Sequence, residues 1–347
     1  MQKAPLESGK SRKSPRRRVA LVLFSLTFIS FVIALSILYY QYPKTYEATW
    51  KGRTYYFFFL WLFFLEAILG WEELQAKITK LRSIRTIAFA AALTLPTIYV
   101  VLTNFYGLNA IFINAMSQHG VLVAQKFPDW MLLSPEYFAL TVSFALAIAL
   151  GYGIRSLKDF SITTIFLGTI GMLYTIDNLF PYGGFTPFQI IVPTTANLAA
   201  SVLNLMGYHT AYLGSPMAMP TYIAWDGNNN YSGAFSIAWP CSGVESLTIY
   251  AITILLFLKT GFPWKQRIGY FVVGAIVTYF INILRIVTIF VISINGGNVW
   301  TFHDYYGQLY SMSWIMSYPL IIIGSRILWN KIWKKQEPKL ENPSSRI

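Results

Sequence analysis

Apolar residues in this chain come in long blocks separated by short polar ones. From Val19 to Tyr40 the run carries no charge at all, and comparable blocks recur near 55–71, 86–104, 136–154, 160–178, 244–258, 268–293 and 309–328. About 20 helical residues at 1.5 Å each match the roughly 30 Å hydrocarbon core of a bilayer, so the pattern predicts eight transmembrane helices. The first block is too long for a signal-peptide core and has no small-residue cleavage site after it, which predicts a retained anchor helix.

Two stretches depart from this scheme. Asn109–Phe127 is amphipathic and interrupted by Asn114, Gln118 and His119, a pattern that predicts a helix lying in the outer interface. Phe188–Met206 is apolar enough to span, yet a single pass there would turn every later basic loop outward. It is therefore expected to be re-entrant or interfacial. Beyond it, "TYIAW" and "AFSIAW" flank "DGNNN", a strong turn signal, and predict a small extracytoplasmic β-hairpin that leads into Cys241. The expected fold class is an all-α polytopic membrane protein with that hairpin before the cysteine.

Composition agrees: 55% of the 347 residues are hydrophobic and only 12% charged, which excludes an ordinary soluble protein. The formal charge of +13 could point to nucleic acid, but its distribution points to the membrane. Basic residues gather in short segments between the apolar blocks: Lys77, Lys80, Arg82 and Arg85, then Arg155 and Lys158, then Lys259, Lys265 and Arg267. With the two ends of the chain, these segments hold 22 of the 27 Lys and Arg, so both termini are expected in the cytoplasm. Residues 1–18 read as a disordered basic tail, 19–330 as the transmembrane domain, and 331–347 as a second basic tail.

Candidate chemistry is sparse. A single cysteine excludes an internal disulfide and a Cys-cluster zinc site, and the three histidines, His119, His209 and His303, are too far apart in sequence for metal spacing. No metal or cofactor is expected. Cys241, in "WPCSGVESL", precedes a capping-box pattern in which Ser242 caps the first turn and Glu245 reaches back to a free amide. A thiol before a helix amino terminus is stabilised as thiolate by the dipole and the unpaired amides. A lone cysteine is also a common small apolar filler, and both readings stand at this point.

Arg285 lies well inside an apolar block, where a charge costs on the order of 3 kcal/mol or more. Asn282, three residues earlier, shares its helix face, and Glu245 is a candidate ionic partner. Counted from Ile268, residue 285 lies roughly 25 Å along the helix, at the depth expected of Cys241. His303 sits at the outer end of the last block, where an interfacial histidine is often only a snorkelling amphipath. Its convergence with the other two residues gives it weight; His119 and His209 have no such partners. Together a thiolate, an imidazole and a guanidinium suit acyl transfer: Cys241 attacks a carbonyl, His303 protonates the leaving amine, and Arg285 steadies the oxyanion or the substrate carbonyl.

The ordered set "CSGVESL", "NILR" and "HDYYG", each at the outer end of one of the last three spans, resembles the exosortase and archaeosortase family of membrane cysteine transpeptidases. The resemblance covers about Leu198–Leu320, including "LMGYHTAYLGSP", and leaves the first 180 residues matched only as generic spans. It implies Cys241 as nucleophile, Arg285 as oxyanion or substrate residue, His303 as acid and base, and Ser242, Gly243 and Asn282 as supporting residues. It further implies substrates that are secreted proteins ending in a short motif, a hydrophobic helix and a basic cluster, and a lipid acceptor for the new carboxyl end. The long basic amino-terminal tail and the unmatched front half incline the reading towards an archaeal-type member. The competing expectation is a transporter or channel for an anionic solute, with Arg285 and Asn282 as its binding residues and the 188–206 segment as part of a gate.

Overall fold

The computed structural model describes residues 15–48, 50–77, 83–121, 125–126, 128–181, 184–216, 219–258 and 261–333. Residues 1–14 of the expected disordered tail lie outside these residues, as do Lys80, Arg82, Lys259 and the chain after Trp333, whereas residues 15–18 are helical and open the first helix. The chain divides into two compact units, residues 1–181 and 182–347.

The first unit contains α1 (Pro15–Gln41), α2 (Pro43–Ala48), α3 (Trp50–Leu69), α4 (Trp71–Lys77), α5 (Ser83–Asn104), α6 (Leu108–Gln118), α7 (Pro128–Met131), α8 (Leu133–Gly151) and α9 (Ser161–Leu179). Its core is aromatic: Phe144 meets Phe31, Phe59 and Phe63 edge-on with ring centroids 5.1–5.8 Å apart, and Phe63 also meets Phe160 at 5.3 Å. Rings in that geometry add attraction between quadrupoles to the burial of their area. Two carboxylates hold this packing in register. Glu66 accepts hydrogen bonds from the Ile162 amide at 2.8 Å and from the Thr163 amide and hydroxyl at 2.9 and 2.6 Å, so it caps α9 from α3. Glu136 receives Arg53 Nη1 at 2.6 Å and the Tyr56 hydroxyl on the same oxygen. The sequence pattern starts α3 at residue 55 and leaves Arg53 in a loop. The helix in fact begins at Trp50 and buries Arg53, because Glu136 supplies the counter-charge from 83 residues away. The amphipathic segment after Asn104 is helical over Leu108–Gln118, with Phe112 and Met116 packed on Met131.

The second unit contains α10 (Thr186–Gln189), α11 (Val192–Leu205), β1 (His209–Gly214), β2 (Thr221–Trp225), β3 (Phe235–Ser236), α12 (Val244–Phe257), α13 (Trp264–Ile294), α14 (Val299–Thr301) and α15 (Gly307–Trp333). The anticipated hairpin exists as β2 and β3, with Tyr222 opposite Phe235. It is the smaller part of a three-stranded antiparallel sheet in which β1 pairs along the whole of β2, from His209 opposite Trp225 to Gly214 opposite Thr221. The turn before β3 is built by Asp226, whose Oδ1 accepts the Asn228 and Asn230 amides at 2.9 Å each. The Asn230 side-chain amide, donating to Oδ2 at 2.9 Å, together with those two backbone bonds, holds the carboxyl below the usual carboxylate range.

Among the described residues eight helices are long and apolar enough to cross a bilayer, as expected, but one member differs. Residues 186–205 qualify, whereas α12 has 14 residues, about 21 Å of helix. Its start is delayed to Val244 by a 3₁₀ turn at Trp239–Cys241. Hydrogen bonds place α11 beside one half of α13. Thr195, in the first turn of α11, meets the hydroxyl of Tyr279, at the middle of α13, at 2.8 Å, and Asn197 accepts from Tyr222 of the sheet at 2.5 Å. The sheet in turn reaches the carboxyl end of α13, with the Gly233 amide on Ser293 Oγ at 3.0 Å and Phe235 on Phe290 at 5.1 Å. Antiparallel to α13, α15 is fixed by Trp314 Nε1 donating to Thr278 at 3.1 Å and the Tyr318 hydroxyl donating to the Tyr270 carbonyl at 2.7 Å.

Candidate active site

Pro240 sets the turn that carries the thiol. Trp239–Cys241 form one 3₁₀ turn, closed by the Cys241 amide on the Ala238 carbonyl at 3.0 Å and the Ser242 amide on the Trp239 carbonyl at 3.1 Å. Trp239 anchors it, buried and with its ring 5.1 Å from that of Phe188. The serine half of the capping box is not formed as the sequence pattern suggests. Ser242 Oγ donates to the Trp239 carbonyl at 2.8 Å, back into the turn, and the helix proper starts after Gly243, whose carbonyl accepts the Leu247 amide at 2.8 Å. The cause is local geometry. Gly243 has φ +96°, a conformation that side chains resist, and this reversal separates the serine hydroxyl from the helix amides it would cap.

Two side chains from distant helices then fix the turn. Asn282 Nδ2 donates to the Cys241 carbonyl at 2.9 Å, and Thr195 Oγ1 donates to the Ser242 carbonyl at 3.0 Å. The two residues are close: a Cβ at residue 243 would lie 3.1 Å from Asn282 Nδ2, and the amide would have to give by a fraction of an ångström. Thr195, fully buried, and its partner Tyr279 have no counterpart in the sequence reading. Tyr279 lies three residues before Asn282 and could have been read as an extension of the polar stripe on α13. Thr195, 47 residues before Ser242 in an apolar segment, gives no local signal.

His303 lies in a π-helical turn, Phe302–Tyr306, between α14 and α15. Such turns insert one extra residue into a helix and re-aim the side chains on it. Here the imidazole Nε2 stands 3.9 Å from Cys241 Sγ, and Nδ1 stands 2.8 Å from the Asp304 carboxylate. Asp304, too, was unassigned by sequence beyond its adjacency to His303. Glu245 is buried in the first turn of α12. Arg285 is 2% exposed, and its Nε and Nη2 are buried and make no hydrogen bond among the described residues, so the ion pair suggested with Glu245 does not form through them. The guanidinium packs against Gly307 at the start of α15, where a Cβ would lie 2.7 Å from Nε.

Cys241 and His303 are thus in contact, Asn282 is bonded to the Cys241 carbonyl, and Arg285 lies one helical turn further along α13. The other histidines stay apart: His209 is on β1, its ring 5.6 Å from that of Trp225, and His119 is exposed at the end of α6. Among the described residues no group of three or more His, Cys, Asp or Glu could hold a metal ion. A sulfur and an imidazole in contact, with a buried guanidinium on α13, are kinds of group that acyl transfer uses.

The model of the transmembrane exosortases matches residues 50–319. The match starts far ahead of Leu198, where the motifs alone begin, and takes in most of the first unit, so an unmatched front half is no longer a ground for an archaeal-type assignment. No curated protein and no solved structure matches the chain. With its apolar helices and a family match over most of its length, this chain is a multi-pass membrane protein that belongs to the transmembrane exosortase family.

Proposed function

We propose that this protein is a cysteine transpeptidase that cuts the carboxyl-terminal sorting signal of secreted proteins and transfers the new end to an acceptor, a lipid by family resemblance. The observation that carries the proposal is the 3.9 Å approach of Cys241 Sγ to His303 Nε2, made by elements 62 residues apart. In the reaction the thiol proton passes to His303 Nε2, and the sulfur forms a C–S bond to the scissile carbonyl while the π electrons move to oxygen. Collapse of that oxyanion breaks the C–N bond, and the leaving amine takes its proton from His303. The acceptor nucleophile then attacks the thioester, gives its proton to His303, and the C–S bond breaks. Arg285 steadies the oxyanion or the substrate carbonyl, with Asn282, Ser242, Gly243 and Glu245 shaping the turn.

Charge distribution supports an extracytoplasmic site with both termini cytoplasmic. At the end of the second unit away from His303, Arg267 and Arg326 bond the Phe262 and Gly261 carbonyls at 2.8 and 3.1 Å, forming a basic edge of the kind found on the cytoplasmic side. A substrate tail helix held by its own basic end would then present its motif beside Cys241. The transporter reading draws on the unpaired nitrogens of Arg285, but it needs a polar route across the bundle. In the first unit Glu66 is committed to capping a helix and Arg53 to Glu136.

The direct test is capture of the intermediate. A peptide bearing a candidate sorting motif, mixed with the purified enzyme and quenched in acid, is expected to leave its amino-terminal part as a thioester on the Cys241 peptide, released by hydroxylamine. If no adduct forms with substrates that are processed in the host, the mechanism is wrong.

Gly307→Ala tests the seat of Arg285. The added methyl would meet Nε at 2.7 Å and the Phe302 carbonyl at 3.3 Å, so the guanidinium must move. A displacement near 1 Å at a reacting centre costs on the order of 10²-fold in rate. Alanine is the better helix former by about 1 kcal/mol, so the thermal midpoint should not fall to match. Unchanged turnover would show that Arg285 does not need this position.

A further inference from the structure

We infer that Asp304 is the positioning residue for His303, making the site a Cys241–His303–Asp304 relay; its catalytic consequence rests on the function proposed above. An ionised carboxylate only accepts hydrogen bonds, so the 2.8 Å contact requires the proton of His303 on Nδ1. That leaves Nε2, the nitrogen facing Cys241 Sγ at 3.9 Å, to take the thiol proton in the neutral form or to hold it towards the thiolate in the charged form. Either way the carboxylate selects which nitrogen works. The π-helical turn is what allows two adjacent residues to share one task, since it turns the imidazole to the cysteine while Asp304 stays within reach of its far side.

The other charged or titratable groups near His303 include Tyr305 and Tyr306 of the same turn, Arg285 of α13, packed against Gly307, and Glu245 in the first turn of α12. An exposed ion pair between neighbours would by itself matter little, and the His303 and Asp304 side chains are 21% and 42% accessible. The role is therefore one of orientation rather than stability.

Because Cys241 is the sole cysteine, its alkylation by iodoacetamide reports on the site without any substrate. The experiment uses the full chain in detergent, as wild type, Asp304→Asn, Asp304→Ala, Asp304→Glu and His303→Ala. Alkylation is followed from pH 5 to 10, and processing of tail-bearing proteins is followed in the host. Asp304→Ala is expected to slow Cys241 alkylation at neutral pH by about tenfold and to move its pH midpoint upward towards that of His303→Ala. Asp304→Asn should fall between, and Asp304→Glu should recover most of the wild-type profile. Processing should drop in the same order while thermal midpoints stay together. An Asp304→Ala profile that superimposes on wild type, with processing intact, overturns the inference and leaves the function standing if Cys241→Ala abolishes processing. If Cys241→Ala also processes normally, the function falls, and the alkylation series still decides whether Asp304 acts on the pair.

Discussion

Serine in place of Cys241 is expected to leave tail-bearing surface proteins uncut in the host, with their mass raised by the retained tail and their lipid anchoring lost. The substitution changes one atom in a half-buried side chain, so the turn, the Asn282 and Thr195 bonds to its carbonyls and the bundle should be unaffected. What changes is the nucleophile. A hydroxyl stays protonated where a thiol can ionise, and it needs a stronger base than an imidazole 3.9 Å away provides. Loss of a nucleophile from a cooperating set removes at least about 10³-fold of the rate, because its partners cannot act alone. Cys241→Ala should do the same. Normal mass and anchoring of those proteins in both strains would end the transpeptidase reading, and an equal thermal midpoint in detergent would show that any loss is chemical.

Breaking the Arg53–Glu136 pair should produce the largest loss of stability. The pair is 2.6 Å long with side chains 1% and 10% accessible, and the Arg53 guanidinium also lies 5.4 Å from the centre of the Tyr46 ring. Glu136→Gln or Glu136→Ala removes a counter-charge bonded directly to a buried guanidinium, at a cost of about 3–5 kcal/mol. The double replacement Arg53→Met with Glu136→Leu removes both charges and should recover most of the difference. Thermal unfolding of the four proteins in one detergent checks the order. Single variants that melt with the wild type would show that the pair contributes nothing net.

Much of the architecture is legible in the sequence, for a simple reason. Backbone polar groups in hydrocarbon must be satisfied within the segment, so long apolar blocks become helices regardless of their neighbours. The blocks at 19–40, 86–104 and 160–178 accordingly appear as α1, α5 and α9 within a few residues of where the pattern ends. The departures come where a distant partner changes the local rule. Glu136 lets α3 begin before Arg53; β1, whose outline alternates poorly, exists because β2 lies beside it; and Gly243 cancels the serine half of a capping box that its neighbours spell correctly.

By itself, then, the sequence determined that the chain is a bundle of membrane helices, that Cys241, Arg285 and His303 are its unusual residues, and that they lie near the ends of successive segments. Composition and apolar periodicity are local properties, and they suffice for this. Which atoms meet was decided only by the tertiary structure. The 3.9 Å approach of Cys241 to His303, the bonds of Asn282 and Thr195 to adjacent carbonyls, and the seat of Arg285 against Gly307 join residues 22 to 62 positions apart. Such contacts depend on the register between helices. That register is set by side-chain packing and a few buried hydrogen bonds, which no single segment encodes.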